Sequence, residues 1–378
     1  MPLWIWEQPD WPSFRWNEGE VGQALSQARL AQGQVQGAAS LLDPNLARDA
    51  AAAILVDDSI TTSAIEGEHL DLDSVRSSVA RHLGLSTEGL PAPPRSVDGL
   101  IDVLVDATHN FSEPLSLERL FGWQAALFPT GYSGLVQIRT GELRGEEPMR
   151  VMSGRMGREK VHFEAPPRDR LEDELDRFLA WFAAPPTNLD GLIRAGIAHL
   201  WFVTLHPFED GNGRLARALT DMAIAQDEGL TMRLFSLSAQ LSEERDAYHT
   251  GLESAQRGGL DVTPRLVWFL NQVAAACTRS QATVARTLAK ARFWLHFQEV
   301  DISDRQRKVL NRLLDAGPDG FEGGMTNRKY IGMTKTSRAT AYRELSDLVV
   351  KGFLVATEKG GRSSAYAIPW KRFLHHQG

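Results

Sequence analysis

Residues 189–205 place Leu192, Ile193, Gly196, Ile197, Leu200, Trp201 and Thr204 on nearly every face of a helical period. A helix that is apolar all round belongs at the centre of a protein, with other helices packed about it. This one stops at His206-Pro207, because proline offers no N–H to continue the ladder and its ring clashes with the preceding turn. A second helix opens at about Gly213 and runs to Ala225.

Helical periodicity extends through much of the chain. It dominates residues 18–83, where residues 50–66 form one helix with Ala53, Ile54, Ile60, Ala64 and Ile65 on its apolar side. Residues 90–95 are a proline-rich linker. Residues 96–111 resume a helix with Ser96 as N-cap. Residues 115–128, 168–183 and 262–298 add further helices. Residues 131–167 are different, being rich in Gly and Arg with little helical period. Met149-Arg150-Val151-Met152 and Lys160-Val161-His162-Phe163 read as a hairpin around Gly154 and Gly157. At the other extreme, Trp4, Trp6, Trp11 and Trp16, with Pro2, Pro9 and Pro12, predict an extended arm. Such an arm packs onto the body, or onto a second subunit of a homodimer.

Composition narrows the setting. With 378 residues, 43% of them hydrophobic and 24% charged, the chain can build two or three soluble domains. No apolar run is long enough to span a membrane, and the N-terminus lacks a basic segment followed by an apolar one. The single cysteine, Cys277, excludes a disulfide framework or a cysteine metal site and reads as a core residue. A cytoplasmic protein with no membrane partner is expected.

The chemistry concentrates in the twelve residues from His206 to Arg217. Gly211 and Gly213 flank Asn212, so the backbone can approach a ligand without a Cβ in the way. The first N–H groups of the following helix lack partners and attract anions. Arg214 and Arg217 lie three apart, on one face of that helix's first turn. Arginine there opposes the helix dipole, which makes sense if anions bind at the same end. Two guanidinium forks suit two phosphate groups. Asp210 adds a hard carboxylate of the kind that, with substrate phosphates, holds Mg²⁺. His206, with a pKa near neutrality, can take a proton from an attacking hydroxyl.

This segment resembles the signature of Fic-domain proteins, His-Pro-Phe-x-Asp/Glu-Gly-Asn-Gly-Arg-x-x-Arg, and matches every specified position. The resemblance covers about residues 115–270 and implies a helical core with a hairpin flap. It also implies transfer of AMP from ATP to a protein hydroxyl. Carried over by position, His206 is the base and Asp210 holds Mg²⁺ on the α- and β-phosphates. Gly211, Asn212 and Gly213 form the anion hole, with Asn212 donating to the α-phosphate. Arg214 and Arg217 bind the β- and γ-phosphates, and Phe208 is a buried anchor. Tyr248, followed by His249, stands where relatives carry a tyrosine pair near the adenine. Lys160, Val161, His162 and Phe163 belong to the flap that pairs with the target's main chain.

Thr62, Glu66 and Gly67 resemble the family's inhibitory motif, Ser/Thr-x-x-x-Glu-Gly/Asn. Gly67 is the expected C-cap of its helix. A carboxylate on Arg217 occupies the cation meant for the γ-phosphate, and the α-phosphate is then misplaced for in-line attack. In some relatives the same glutamate supports removal of AMP.

Charge is unevenly spread. Residues 301–378 hold 14 Lys and Arg against 8 Asp and Glu, a surplus of six; the net charge of −7 therefore leaves −13 for the rest. In this basic module, residues 305–314 predict a helix. Gly332 marks a turn between two more, and Ser337 caps the second. Short strands lie at residues 353–355 and 365–368. The pattern resembles a winged helix-turn-helix, with Arg338, Thr340 and Arg343 facing outward and Arg362 on the wing as DNA contacts. A protein-binding or dimerising winged helix has the same pattern.

The expected fold is thus mainly α: a Fic-type helical core with a hairpin flap, plus a C-terminal winged helix-turn-helix. The expected domains are residues 1–95, 96–298 and 299–378. The expected function is an autoinhibited protein AMPylator with ATP as substrate and Mg²⁺ as cofactor. It would act on Ser, Thr or Tyr hydroxyls of a target protein or of itself. The alternatives are a nucleotide-sensing DNA-binding regulator and a Fic transferase with another phosphate-bearing donor.

Overall fold

The computed structural model describes residues 4–40, 42–154, 160–231, 233–318, 321–357 and 365–374. Its contacts divide the chain into two compact units, residues 1–40 with 51–280, and residues 41–50 with 281–378. Among the described residues no helix is long and apolar enough to cross a membrane.

The first unit begins with a short 3₁₀ turn (Ile5–Glu7), then α1 (Glu18–Ala39), α2 (Pro44–Ile65), α3 (Leu72–His82), α4 (Arg95–His109) and α5 (Leu117–Leu127). A small hairpin, β1 (Tyr132–Ser133) and β2 (Val136–Gln137), precedes a larger one, β3 (Arg150–Ser153) and β4 (Lys160–Glu164). Helices α6 (Arg168–Ala183), α7 (Gly191–Leu205), α8 (Asn212–Glu228), α9 (Leu237–Glu243), α10 (Arg245–Gln256) and α11 (Thr263–His296) complete it, the division between units falling within α2 and within α11.

The centre is α7, buried at every residue from Leu192 to Leu205, as its all-round apolar sequence requires. Asp190 caps its start by accepting from the Leu192 N–H at 2.8 Å. Packed against α7, α6 buries Leu171, Leu175, Phe178 and Phe182, one stripe at helical spacing. The Phe178 ring lies 5.6 Å from Trp201 and 5.8 Å from Phe202.

The aromatic arm packs onto its own body. The Trp6 indole N–H donates to the Glu164 carbonyl at 2.8 Å, and that of Trp11 to Glu174 at 2.9 Å. It is not extended throughout, since residues 5–7 make the 3₁₀ turn. Two local readings also change. The helix expected over residues 50–66 starts earlier, at Pro44, because proline at a first helical position needs no hydrogen-bond partner. Ser96 is not a cap; α4 already includes Arg95, with the extended Pro94 before it (ψ 151°).

The second unit contains α12 (Asp304–Ala316), β5 (Met325–Thr326), α13 (Asn327–Thr334), α14 (Arg338–Val350), β6 (Val355–Ala356), β7 (Ala365–Ala367) and α15 (Lys371–Leu374). Its strands form an antiparallel sheet in the order β5-β7-β6. Its core gathers Phe293, Phe297, Val309, Leu313, Leu348 and Phe353. Gly332 lies inside α13 rather than at the turn; Lys335, with φ 53°, takes the left-handed position that ends the helix. Ser337 caps α14, accepting from the Thr340 N–H at 3.2 Å.

Candidate active site

The loop between α7 and α8 is held from within and from behind. His206 leaves α7 in the left-handed region (φ 49°, ψ 58°), which costs a non-glycine residue roughly 1–3 kcal/mol and so needs support. Buried Arg144 supplies it: its Nε donates to the His206 carbonyl at 2.9 Å, and its main-chain N–H to the Pro207 carbonyl at 3.0 Å. Burial, with Arg168 nearby, pulls the Arg144 guanidinium down to about 10. Inside the loop, Asn212 clasps Phe208: Oδ1 accepts from the Phe208 N–H at 3.0 Å and Nδ2 donates to its carbonyl at 2.8 Å. The Phe208 ring is fully buried, 6.2 Å from Phe121.

The Asn212 side chain, only 2% exposed, is engaged with the loop's own backbone through Oδ1 and one of the two Nδ2 hydrogens. The ready donors are the first N–H groups of α8, which begins at Asn212 behind the left-handed Gly211 (φ 88°).

The surroundings of the His206 imidazole favour its neutral form. Burial lowers its pKa from the ordinary value, Arg144 adds to the fall, and the bond to Val203 opposes it. Nδ1 lies 3.2 Å from the Val203 carbonyl. A carbonyl only accepts, so Nδ1 carries the proton and Nε2 keeps its lone pair. Four residues on, Asp210 Oδ1 accepts from the Gly211 N–H at 2.6 Å, and Oδ2 accepts from the Ser133 hydroxyl. Among the described residues no group of three or more His, Cys, Asp and Glu could hold a metal by itself. One carboxylate with spare lone pairs beside an anion-binding helix end fits Mg²⁺ shared with substrate phosphates.

Arg214 and Arg217 are 6% and 2% exposed, and both are already engaged by the end of α2. Arg217 donates to the Thr62 hydroxyl at 2.7 Å, the Thr62 carbonyl at 2.9 Å and the Glu66 carboxylate at 2.8 Å. Burial would raise the Glu66 carboxyl; the Arg217 guanidinium more than offsets this and holds it below its ordinary value. The carboxylate sits against the start of α8: a Cβ on Gly213 would fall 2.2 Å from Glu66 Oε1, so a side chain there would have to displace the carboxylate. Arg245 Nε donates to the Ile65 carbonyl at 2.8 Å, so two cations meet the negative end of the α2 dipole. Thr62 and Glu66 therefore converge on Arg217, while Gly67, with φ 84°, ends their helix. Arg214 is paired with Glu68 at 2.9 Å, a contact that the sequence motif does not contain.

Tyr248 offers no open face for an adenine. It is 2% exposed, and its hydroxyl lies 2.9 Å from His199 Nε2, whose other nitrogen is 3.0 Å from the Thr220 hydroxyl. It supports the wall behind Arg217, whereas His249 is exposed.

The hairpin pairs Val151 with Phe163 and Met152 with Val161, leaving His162 as an extra residue in β4. His162 Nδ1 lies 2.6 Å from Glu253, and Lys160 Nζ 3.4 Å from the same carboxylate. Arg257 donates to the Val161 and His162 carbonyls at 2.6 and 3.0 Å. Phe163 is buried, its ring 5.4 Å from Trp4. Val161, His162 and Phe163 thus lie against the body, while Lys160 is exposed. The outer strand is β3, exposed at all four positions, with Val151 39% and Met152 54% exposed. The turn between the strands, residues 155–159, lies outside the described residues.

In the second unit, Arg338 and Arg343 are exposed on α14 and Thr340 partly so; Arg362 lies outside the described residues.

Comparison with known proteins follows this geometry. Residues 114–224 match the family described as Fic/DOC family, and residues 4–85 match a domain of unknown function (DUF4172). A Fic family protein from Desulfovibrio desulfuricans G20 has a similar fold, with TM-score 0.53 and 19% identity over 92% of this chain and 95% of that one. A Fic domain containing signaling protein from Bacteroides thetaiotaomicron VPI-5482 is 16% identical over 71% of this chain and 96% of that one, with TM-score 0.49. Fic-1 from C. elegans is 20% identical over 72% and 73% of the two chains, with TM-score 0.49. Residues 114–224, which carry the loop, thus form a domain that matches the Fic/DOC family, in a chain whose fold is similar to that of a Fic family protein.

Proposed function

We propose that this chain is an autoinhibited protein adenylyltransferase. The observation that carries the reading is one twelve-residue loop joining an imidazole, bonded through Nδ1 to a carbonyl, to a helix end with two buried arginines. The donor is ATP. Its phosphates lie along the first turn of α8, with the β-phosphate on Arg214 and the γ-phosphate on Arg217, one turn deeper. Asp210 would hold Mg²⁺ together with the substrate phosphates, and the ion would supply charge neutralisation for the leaving group.

His206 Nε2 accepts the proton of a Ser, Thr or Tyr hydroxyl. That oxygen bonds to the α-phosphorus as the bond to the bridging α–β oxygen breaks, and pyrophosphate leaves. The acceptor is a segment of a target protein, or of this chain, pairing along exposed β3. At rest, Glu66 holds Arg217 in place of the γ-phosphate, and ATP that enters is misaligned for in-line attack. The same glutamate can serve removal of AMP.

Incubation with labelled ATP and Mg²⁺ tests this. Glu66→Gly is expected to raise self-modification, and adding His206→Ala to lower it by about 10²–10⁴-fold. No gain in the Glu66 variant would remove the brake. Labelling that survives loss of His206 would remove the base. Label from another nucleotide but not from ATP would change the donor.

A second reading has its own observation. Exposed Arg338, Tyr342 and Arg343 lie on α14, in a unit whose order of helices and strands suits a winged helix. A DNA-binding role predicts affinity that falls steeply with salt, whereas absent or salt-insensitive binding favours a protein partner.

A further inference from the structure

The end of α2 brings a second carboxylate to the site. The Gly67 N–H donates to the Ala64 carbonyl and the Glu68 N–H to the Ser63 carbonyl, both at 3.0 Å, with Gly67 at φ 84°. This is the Schellman arrangement, in which a left-handed residue reverses the chain just past the helix. It fixes the directions of the residues on either side of Gly67. Both are glutamates, and each reaches a different arginine: Glu66 is 2.8 Å from Arg217 and Glu68 is 2.9 Å from Arg214.

Arg214 is otherwise poorly satisfied. Its guanidinium lies over the Phe128 ring at 4.9 Å, and its buried Nε has no acceptor. A buried guanidinium without a counter-charge draws an anion, so removing the Glu68 carboxylate leaves a vacancy suited to a phosphate.

We propose that Glu68 is a second inhibitory carboxylate, standing in for the β-phosphate as Glu66 stands in for the γ-phosphate. The proposal rests on the nucleotide-site reading above. It gives the two glutamates separable effects. Glu68 opposes any nucleotide with a β-phosphate, whereas Glu66 opposes only one with a γ-phosphate. Glu68 is also the weaker, since its side chain is 46% exposed against 34% for Glu66.

Calorimetric titration of ADP and ATP, with Mg²⁺, into the full chain tests this. Glu68→Gln is expected to tighten ADP on the order of three- to tenfold, and ATP by a similar factor. Glu66→Gln is expected to tighten ATP by at least as much while leaving ADP within about twofold. Unchanged ADP affinity in Glu68→Gln, with ATP still tightened by Glu66→Gln, overturns the proposal and spares the nucleotide site. Failure of every variant to bind either nucleotide overturns the nucleotide site, and the proposal with it. Glu68→Ala, which should match Glu68→Gln, guards against an effect peculiar to the amide.

Discussion

Two helices touch α8 in opposite ways. Against α7 the contact is mostly apolar, with Leu200, Phe202, Leu215, Leu219 and Met222 almost fully buried and buried polar pairs such as His199 with Thr220 set within it. The end of α2 instead meets Arg217 of α8 through Thr62 and Glu66, and Asp58 accepts from the Ser236 hydroxyl, ahead of α9, at 2.6 Å. The apolar side of α2, with Leu55, Val56 and Ile60, packs elsewhere, against Val75, Val79, Val97 and Ile101 of α3 and α4. Apolar contact offers nothing for a phosphate to replace, whereas hydrogen bonds and ion pairs compete with water and with phosphates. The scaffold that presents His206 is therefore fixed, and the contact that blocks it is of a kind that a ligand can replace.

The largest test of this contrast is Phe202→Ala. Truncating a fully buried phenylalanine is expected to destabilise the protein by about 3–5 kcal/mol, read from the urea midpoint. A loss much below that would mean α7 is not the rigid partner. Thr62→Val is the matching change on α2. It removes the acceptor for buried Arg217 Nε and is expected to weaken the α2 contact by about 1–3 kcal/mol. Hydrogen exchange separates the two: α2 amides should quicken while those of α7 stay protected. Equal acceleration in both helices would break the comparison.

The smallest effect is on pH dependence. The lowered pKa of His206 means that the unfolded chain binds its proton more readily than the folded one. The stability it contributes is thus full above about pH 6.5 and is lost as pH falls through the folded value. For the Glu66→Gly enzyme, kcat/KM should stay level from about pH 8 down to about 6.5 and fall only below that. A falling limb centred above pH 7 would show a histidine that is not held neutral.

Much of this was legible in the sequence where the signal is local. Residues 168–183 and 189–205 announce α6 and α7 by the spacing of their apolar side chains, and Ser337 announces the start of α14. The loop was legible because its chemistry is contiguous. What escaped depends on distance along the chain. Glu68 lies 146 residues before Arg214, and no local pattern distinguishes it from a solvated glutamate at a helix end. Arg144 sits in an irregular, Gly-rich stretch, 62 residues before the carbonyl that it braces. The surroundings of Tyr248 are hidden for a related reason: its place in a motif does not reveal that His199 meets its hydroxyl.

Gly213 bears on how such a protein can change over generations. The room left by its absent Cβ holds the Glu66 carboxylate, and in the proposed active state the same room admits a phosphate. A side chain there would crowd the inhibitory carboxylate and, in that proposed state, the phosphate as well. Release from inhibition at little cost to the substrate is therefore more open at the glutamates, where loss of one carboxylate frees one arginine.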